Sequence, residues 1–129
     1  MNLNQVSLPA LDLEASVGFY RTLGLILIVK TDIYARFELP DGDATMSLFA
    51  VDHLASGEGA HVYFECEDLD RFVEDLAAKG IPFKGKPETQ RWLWREAYVD
   101  DPSGNAICLY WAGENRKHPP WRIPESGGE

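Results

Sequence analysis

An internal repeat constrains the fold of this chain more than any other feature of its sequence. When the sequence is slid by 56 positions, residues 3–25 lie over residues 59–81 without a gap, and Asp12 falls on Asp68. A self-similarity of this length is typical of chains built from repeated structural units. We therefore expect two similar units rather than one irregular fold.

Each copy carries the signals of a helix that lies between strands. Asp12 and Asp68 stand where a short polar side chain can accept the free N–H groups of a first helical turn. Apolar residues follow at helical spacing. Gly24 and Gly80 then end the helices, because glycine tolerates the left-handed conformation just beyond a helix end.

The second half of each copy repeats at an offset of 62, with turn residues between two strand-like segments. The matched positions are Ala35, Pro40, Gly42 and Ala44 with Ala97, Pro102, Gly104 and Ala106. The strands flanking the turns are predicted at 33–39 and 44–51 in the first copy, and at 92–99 and 106–111 in the second. The residues that change the offset fall in a predicted loop between Lys84 and Arg91.

These signals divide the chain into two βαβββ modules, at residues 2–51 and 59–111, joined by a linker at 52–58. A Pro-rich tail, 112–129, follows and is expected to lie along the surface, pinned by Trp121 and ending in a loose segment at 125–129.

Composition excludes several classes of function. The chain has 129 residues and a net charge of −9, which argues against a nucleic acid or an anionic membrane surface as partner. No apolar run approaches the length of a membrane helix, and no signal peptide is visible. Cys66 and Cys108 form no CxxC motif, so we expect reduced thiols and a cytoplasmic location.

Four segments resemble the vicinal oxygen chelate superfamily, which contains glyoxalases, bleomycin resistance proteins and extradiol dioxygenases. They are Gln5-Val6-Ser7-Leu8, the stretch from Asp12 to Tyr20, Leu23-Gly24-Leu25, and Asp101-Pro102-Ser103-Gly104-Asn105. The resemblance implies an α+β fold whose two βαβββ modules form a concave mixed sheet, or cup. It also implies a small-molecule ligand, in many members a divalent metal ion, and a homodimer.

The resemblance places metal ligands on the first and last strands of each module. The first-strand positions match Gln5 and His61, which are the candidate metal ligands of this chain. The last-strand positions, where the superfamily has Glu, match Ser47 and Cys108. Because both carboxylates are missing, we expect a degenerate metal site and no cofactor, with a bound divalent metal as the alternative.

Strand alternation predicts which side chains line the cup. The candidate ligand-binding residues are Gln5, Ser7, Ser47, His61, Tyr63, Trp92, Trp94, Glu96, Tyr98 and Cys108. Arg36 is expected to join them from the first module. An aromatic lining with few polar groups suits a flat, partly apolar molecule, and a carboxylate among the rings suits a cation. The two Trp residues could instead fill a closed core or a dimer contact.

Glu96 is the one candidate for a catalytic role, as a displaced metal ligand or a general base; the alternative is a solvated or salt-bridged carboxylate. Three functions follow in order. The first is a metal-free protein that binds a small aromatic or cationic molecule between its modules. The second is a divalent-metal-dependent lyase, isomerase or dioxygenase. The third is a non-catalytic dimeric interaction module.

Overall fold

The computed structural model describes residues 1–124, so the expected loose end at 125–129 lies outside the described residues. It contains two four-stranded sheets, each with one helix packed on one face, and this confirms the predicted α+β fold of two βαβββ modules. The first module consists of β1 (Gln5–Ala10), α1 (Leu13–Leu23), β2 (Ile26–Lys30), β3 (Tyr34–Glu38) and β4 (Thr45–Ala50). The second consists of β5 (His61–Glu65), α2 (Leu69–Ala78), β6 (Glu88–Thr89), β7 (Arg95–Asp100) and β8 (Ala106–Trp111).

The predicted helix signals act in different ways in the two modules. The Asp12 carboxylate accepts a hydrogen bond from Ala15 N (3.0 Å), and Gly24 ends α1 with φ +108°. Asp68 precedes α2, but its side chain makes no capping bond, which corrects the expectation of a side-chain cap there. Gly80 has φ +97° just past α2, as a left-handed terminator requires.

Both sheets have the same topology, with the first strand parallel to the last and the remaining strands antiparallel. The strand orders are β1-β4-β3-β2 and β5-β8-β7-β6. Ser7 lies opposite Ser47 in the first sheet, and Tyr63 lies opposite Cys108 in the second. The last strands therefore correspond at an offset of 61, not 62, because the turn before β4 is one residue longer than the turn before β8.

The third strand of the second module is shorter than predicted. Residues 92–94 form a turn, with Leu93 at φ +72°, and β7 begins only at Arg95. Part of the loop predicted between Lys84 and Arg91 forms the two-residue strand β6, which pairs with β7.

Helix-facing side chains of both modules form one hydrophobic core. The opposite face of each sheet, which we call the open face, carries the alternate side chains. Hydrogen bonds join the end of β1 and α1 to the β7–β8 turn: Tyr20 Oη to Asp101 Oδ2 (2.6 Å), Asn105 Nδ2 to Pro9 O (2.9 Å), and Leu11 N to Ser103 Oγ (2.8 Å). Among the described residues, no helix is long and apolar enough to cross a membrane.

Candidate functional site

The open face of the second sheet carries two adjacent rows of polar and aromatic side chains. Tyr63, Cys108 and Tyr98 lie side by side across β5, β8 and β7. In the next row, Tyr110 lies beside Glu96. Strand pairing therefore places four residues of the second module that the sequence singled out next to one another.

Aromatic rings pack across these rows. Trp94 stacks on Tyr110 with ring centroids 4.8 Å apart and an interplanar angle of 21°. Tyr63 meets both rings edge-on, at 5.9 Å and 5.5 Å, and its hydroxyl lies 3.1 Å from that of Tyr98. We call the surface formed by Tyr63, Trp92, Trp94, Tyr98 and Tyr110 the aromatic face.

Glu96 is a buried carboxylate within the aromatic face. Its exposed fraction is 4%, and the Trp92 indole N–H donates to Oε2 at 2.9 Å. The turn with Leu93 at positive φ brings Trp92 back over the strand that follows it. Within residues 1–124, no Lys, Arg or His pairs with Glu96 in a salt bridge. The carboxylate is thus held by a neutral donor and has no counter-charge there.

The groups around Glu96 are held in their neutral forms. Burial, together with the neighbouring Glu96 charge, raises the pKa of the Cys108 thiol to about 12. Burial and the Tyr63 hydroxyl raise the pKa of Tyr98 as well. Cys108 is therefore protonated at neutral pH, which makes it a poor nucleophile.

The segment after β8 packs against the aromatic face from one side. The Trp94 indole donates to Asn115 O at 3.1 Å. A pocket of about 230 Å³ lies between this segment and the two indole side chains; it is lined by Trp92, Trp94, Asn115, Arg116, Pro119 and Trp121. Sequence reasoning named Trp121 in this segment but missed Asn115 and Arg116, since no pattern in the sequence links them to Trp94.

The equivalent open face of the first sheet is small and polar. The Ser7 and Ser47 hydroxyls are hydrogen-bonded to each other. Arg36 Nε donates to Tyr34 Oη at 2.9 Å, and this bond holds the pKa of Tyr34 below its ordinary value. Each of these polar groups is paired within its own sheet, and Tyr34 is a member that sequence reasoning did not name.

The two candidate metal ligands are engaged separately. Gln5 Oε1 accepts a hydrogen bond from Thr45 Oγ1 at 2.6 Å, and His61 Nε2 lies 3.0 Å from Glu58 Oε2. Within residues 1–124, no three His, Cys, Asp or Glu side chains are grouped so that they could hold an ion. The hydroxyl and protonated thiol at the Ser47 and Cys108 positions lack the charge that a hard divalent cation needs, so the donor set does not fit one.

A larger groove of about 850 Å³ lies between the two modules. Gln5, His61 and Tyr63 line it, together with residues at the end of α1 and the start of α2. The ten candidate binding residues are therefore distributed between this groove, the aromatic face and the Ser7–Ser47 pair, rather than gathered in one cavity.

Comparison with known proteins agrees with this architecture. The model of the Glyoxalase/Bleomycin resistance protein/Dioxygenase superfamily matches residues 2–109. The uncharacterized protein YraH of Bacillus subtilis (strain 168) is 31% identical over 127 residues, which cover 85% of this chain and 98% of that protein.

Solved structures show the same fold. A glyoxalase/bleomycin resistance protein/dioxygenase from Nocardioides is 28% identical, with a TM-score of 0.76 over 96% of this chain and 90% of that one. A lactoylglutathione lyase from Agrobacterium tumefaciens is 24% identical, with a TM-score of 0.71 over 85% and 92% of the two chains. A bleomycin-binding protein complexed with bleomycin is 23% identical, with a TM-score of 0.68 over 86% and 98%.

Proposed function

The chain belongs to the Glyoxalase/Bleomycin resistance protein/Dioxygenase superfamily, and from that premise we propose that it binds a small cationic, aromatic molecule on the aromatic face of its second sheet. Glu96 supplies the counter-charge, and the rings of Trp92 and Tyr63 supply the stacking surface. The degenerate metal positions favour this binding function over a metal-dependent one.

The observation that carries the proposal is the burial of Glu96 without a cationic partner. A buried carboxylate is destabilised unless a charge or several hydrogen bonds compensate for the lost water. Here the hydrogen bond comes from one indole. A bound cation would provide the missing charge, and the surrounding rings would add cation–π attraction.

The exposure of the rings fits the same ligand. Trp92 and Tyr63 are 40% and 41% exposed, which is a large apolar surface left open beside a carboxylate. The bleomycin-binding protein, which shares the fold, was solved in complex with bleomycin. A ligand bound by a module pair of this kind is thus consistent with the architecture.

The test is a calorimetric screen of four cationic aromatic dyes: thioflavin T, ethidium, acriflavine and berberine. We expect saturable binding of at least one dye. Glu96→Gln should weaken it about tenfold or more, the size expected when a hydrogen-bonded charge is lost. Glu38→Gln makes the same change on an exposed residue of the first sheet and should leave the dissociation constant unchanged. Absence of binding by all four dyes, or equal binding by the Glu96→Gln variant, would contradict the proposal.

We also infer that the chain forms a homodimer. β2 is an edge strand of the first sheet, and two of its apolar side chains, Ile26 and Ile28, are each 47% exposed. An edge strand with exposed apolar side chains favours association with another chain.

A further inference from the structure

The 850 Å³ groove between the modules lies on the helix-facing side of the sheets. Its walls are apolar side chains that pack against the common core while remaining only partly buried: Val6, Leu39, Val62, Phe64 and Phe72. Because these residues face away from the open face, the groove is separate from the Glu96 site.

The groove exists because the two junctions between the modules differ. At one junction, Asp101 and Asn105 bind Tyr20 and Pro9 by hydrogen bonds. In the other module, the positions of Asp101 and Asn105 are occupied by Leu39 and Ala44, as the matching backbone bonds across the two turns show.

The partner positions at the second junction differ in the same way. The internal offset of 56 places Leu76 at the position of Tyr20, and Glu65 at the position of Pro9. Leucine and alanine side chains cannot reproduce the hydrogen bonds of the first junction. The second junction therefore stays open, and Leu39 and Ala44 line the groove.

The rim of the groove is uniformly acidic. Four exposed carboxylates belong to its lining: Asp41, Glu65, Glu67 and Asp68. No Lys or Arg is among the residues that line the groove, and none of these four carboxylates forms an ion pair within residues 1–124. Cys66 adds a neutral thiol to the apolar wall, because burial raises its pKa to about 11.

We propose that this groove is a second ligand site, which binds an amphipathic organic cation with its apolar chain between the modules and its charged head at the acidic rim. The volume lies within the range of small-molecule sites, roughly 300 to 1,000 Å³. Apolar walls favour the chain by burial, and the unpaired carboxylates select a positive head over a negative one.

The test compares two probes with the same chain and opposite charge: decyltrimethylammonium and decyl sulfate, both below their micellar concentrations, in titration calorimetry. We expect saturable one-to-one binding of the cation and much weaker binding of the anion. The double variant Asp41→Asn/Glu67→Gln should weaken cation binding roughly fivefold at low salt, since each exposed charge contributes modestly. The matched control Glu74→Gln/Asp75→Asn changes two exposed carboxylates of α2 that do not line the groove, and it should bind like the wild type.

Two further variants locate the bound probe. Leu39→Trp fills the groove and should reduce binding of the cation, with circular dichroism used to verify folding. Glu96→Gln should leave binding of the cation unchanged, so failure of the aromatic-face proposal would not affect this one. Equal affinity for the two probes, unaltered binding by the Asp41→Asn/Glu67→Gln variant, or loss of binding on Glu96→Gln would each overturn the groove site.

Discussion

The hydrogen bond between Tyr20 and Asp101 joins the two modules, and Tyr20→Phe removes it while preserving the ring. Tyr20 is fully buried, and Asp101 is 4% exposed. The Tyr20 hydroxyl donates to Asp101 Oδ2 at 2.6 Å, across 81 positions of the sequence. The substitution therefore tests one inter-module contact with little change in packing.

The expected effect follows from what Asp101 keeps after the substitution. Its Oδ1 accepts from the backbone N–H groups of Ser103 and Asn105, each at 2.9 Å, and its Oδ2 also accepts from Asn105 Nδ2 at 2.8 Å. Three of four donors remain, so the carboxylate is not left unpaired. Loss of one hydrogen bond to a charged group typically costs about 1.5–3 kcal/mol. We expect the free energy of unfolding to fall by about 2 kcal/mol.

Urea denaturation followed by circular dichroism measures this loss. With a denaturant slope of about 1.5–2 kcal/mol per M for a chain of this size, the midpoint should fall by about 1 M. Asp101→Asn and the double variant complete a thermodynamic cycle, in which we expect a coupling of about 1 kcal/mol or more. Measurements at several protein concentrations separate this effect from dissociation of a dimer. A loss below about 0.5 kcal/mol for Tyr20→Phe, with no coupling, would refute the reasoning.

Two other predictions concern the thiols and the oligomeric state. Cys66 and Cys108 should react slowly with a disulfide reagent at pH 8 in the folded protein and rapidly in urea, because folding raises their pKa values from 9.0 to about 11 and about 12; equal rates would contradict this. The unfolded chain then releases thiol protons first, so stability should be constant below pH 9 and decrease from pH 9 to 12, less steeply in Cys108→Ala. Light scattering should give twice the chain mass of 14.5 kDa for the wild type and a lower mass for Ile28→Lys; a wild-type mass of one chain would exclude the dimer.

The sequence predicted the fold because the signals that define it are local and occur twice. Asp12 caps a helix and Gly24 ends it through interactions within a few residues, and the repeat shows that these signals are not accidental. The error in the offset of the last strands had the opposite cause. One additional residue in the β3–β4 turn shifts the register, and only the pairing of Ser7 with Ser47 shows where the shift falls.

The candidate site could be predicted only as a set of faces. Alternation along β7 and β8 identified Glu96, Tyr98 and Cys108 as neighbours on one side of the sheet. The partners of these residues depend on backbone conformation outside the strands. The Trp92 contact with Glu96 requires the turn at Leu93, and the Trp94 contact requires the segment that contains Asn115. Neither has a signature in the sequence.

The repeat equates the backbones of the two modules but not the chemistry of their open faces. The row that holds Ser7, Ser47 and Arg36 in the first sheet corresponds to Tyr63, Cys108 and Tyr98 in the second. In the first row, short hydroxyls bond to each other, so little surface remains to stack on a ligand. In the second, large rings surround a carboxylate without a counter-ion. Binding on an open face is therefore expected in one module only, and a stoichiometry of one dye per chain would follow from this difference.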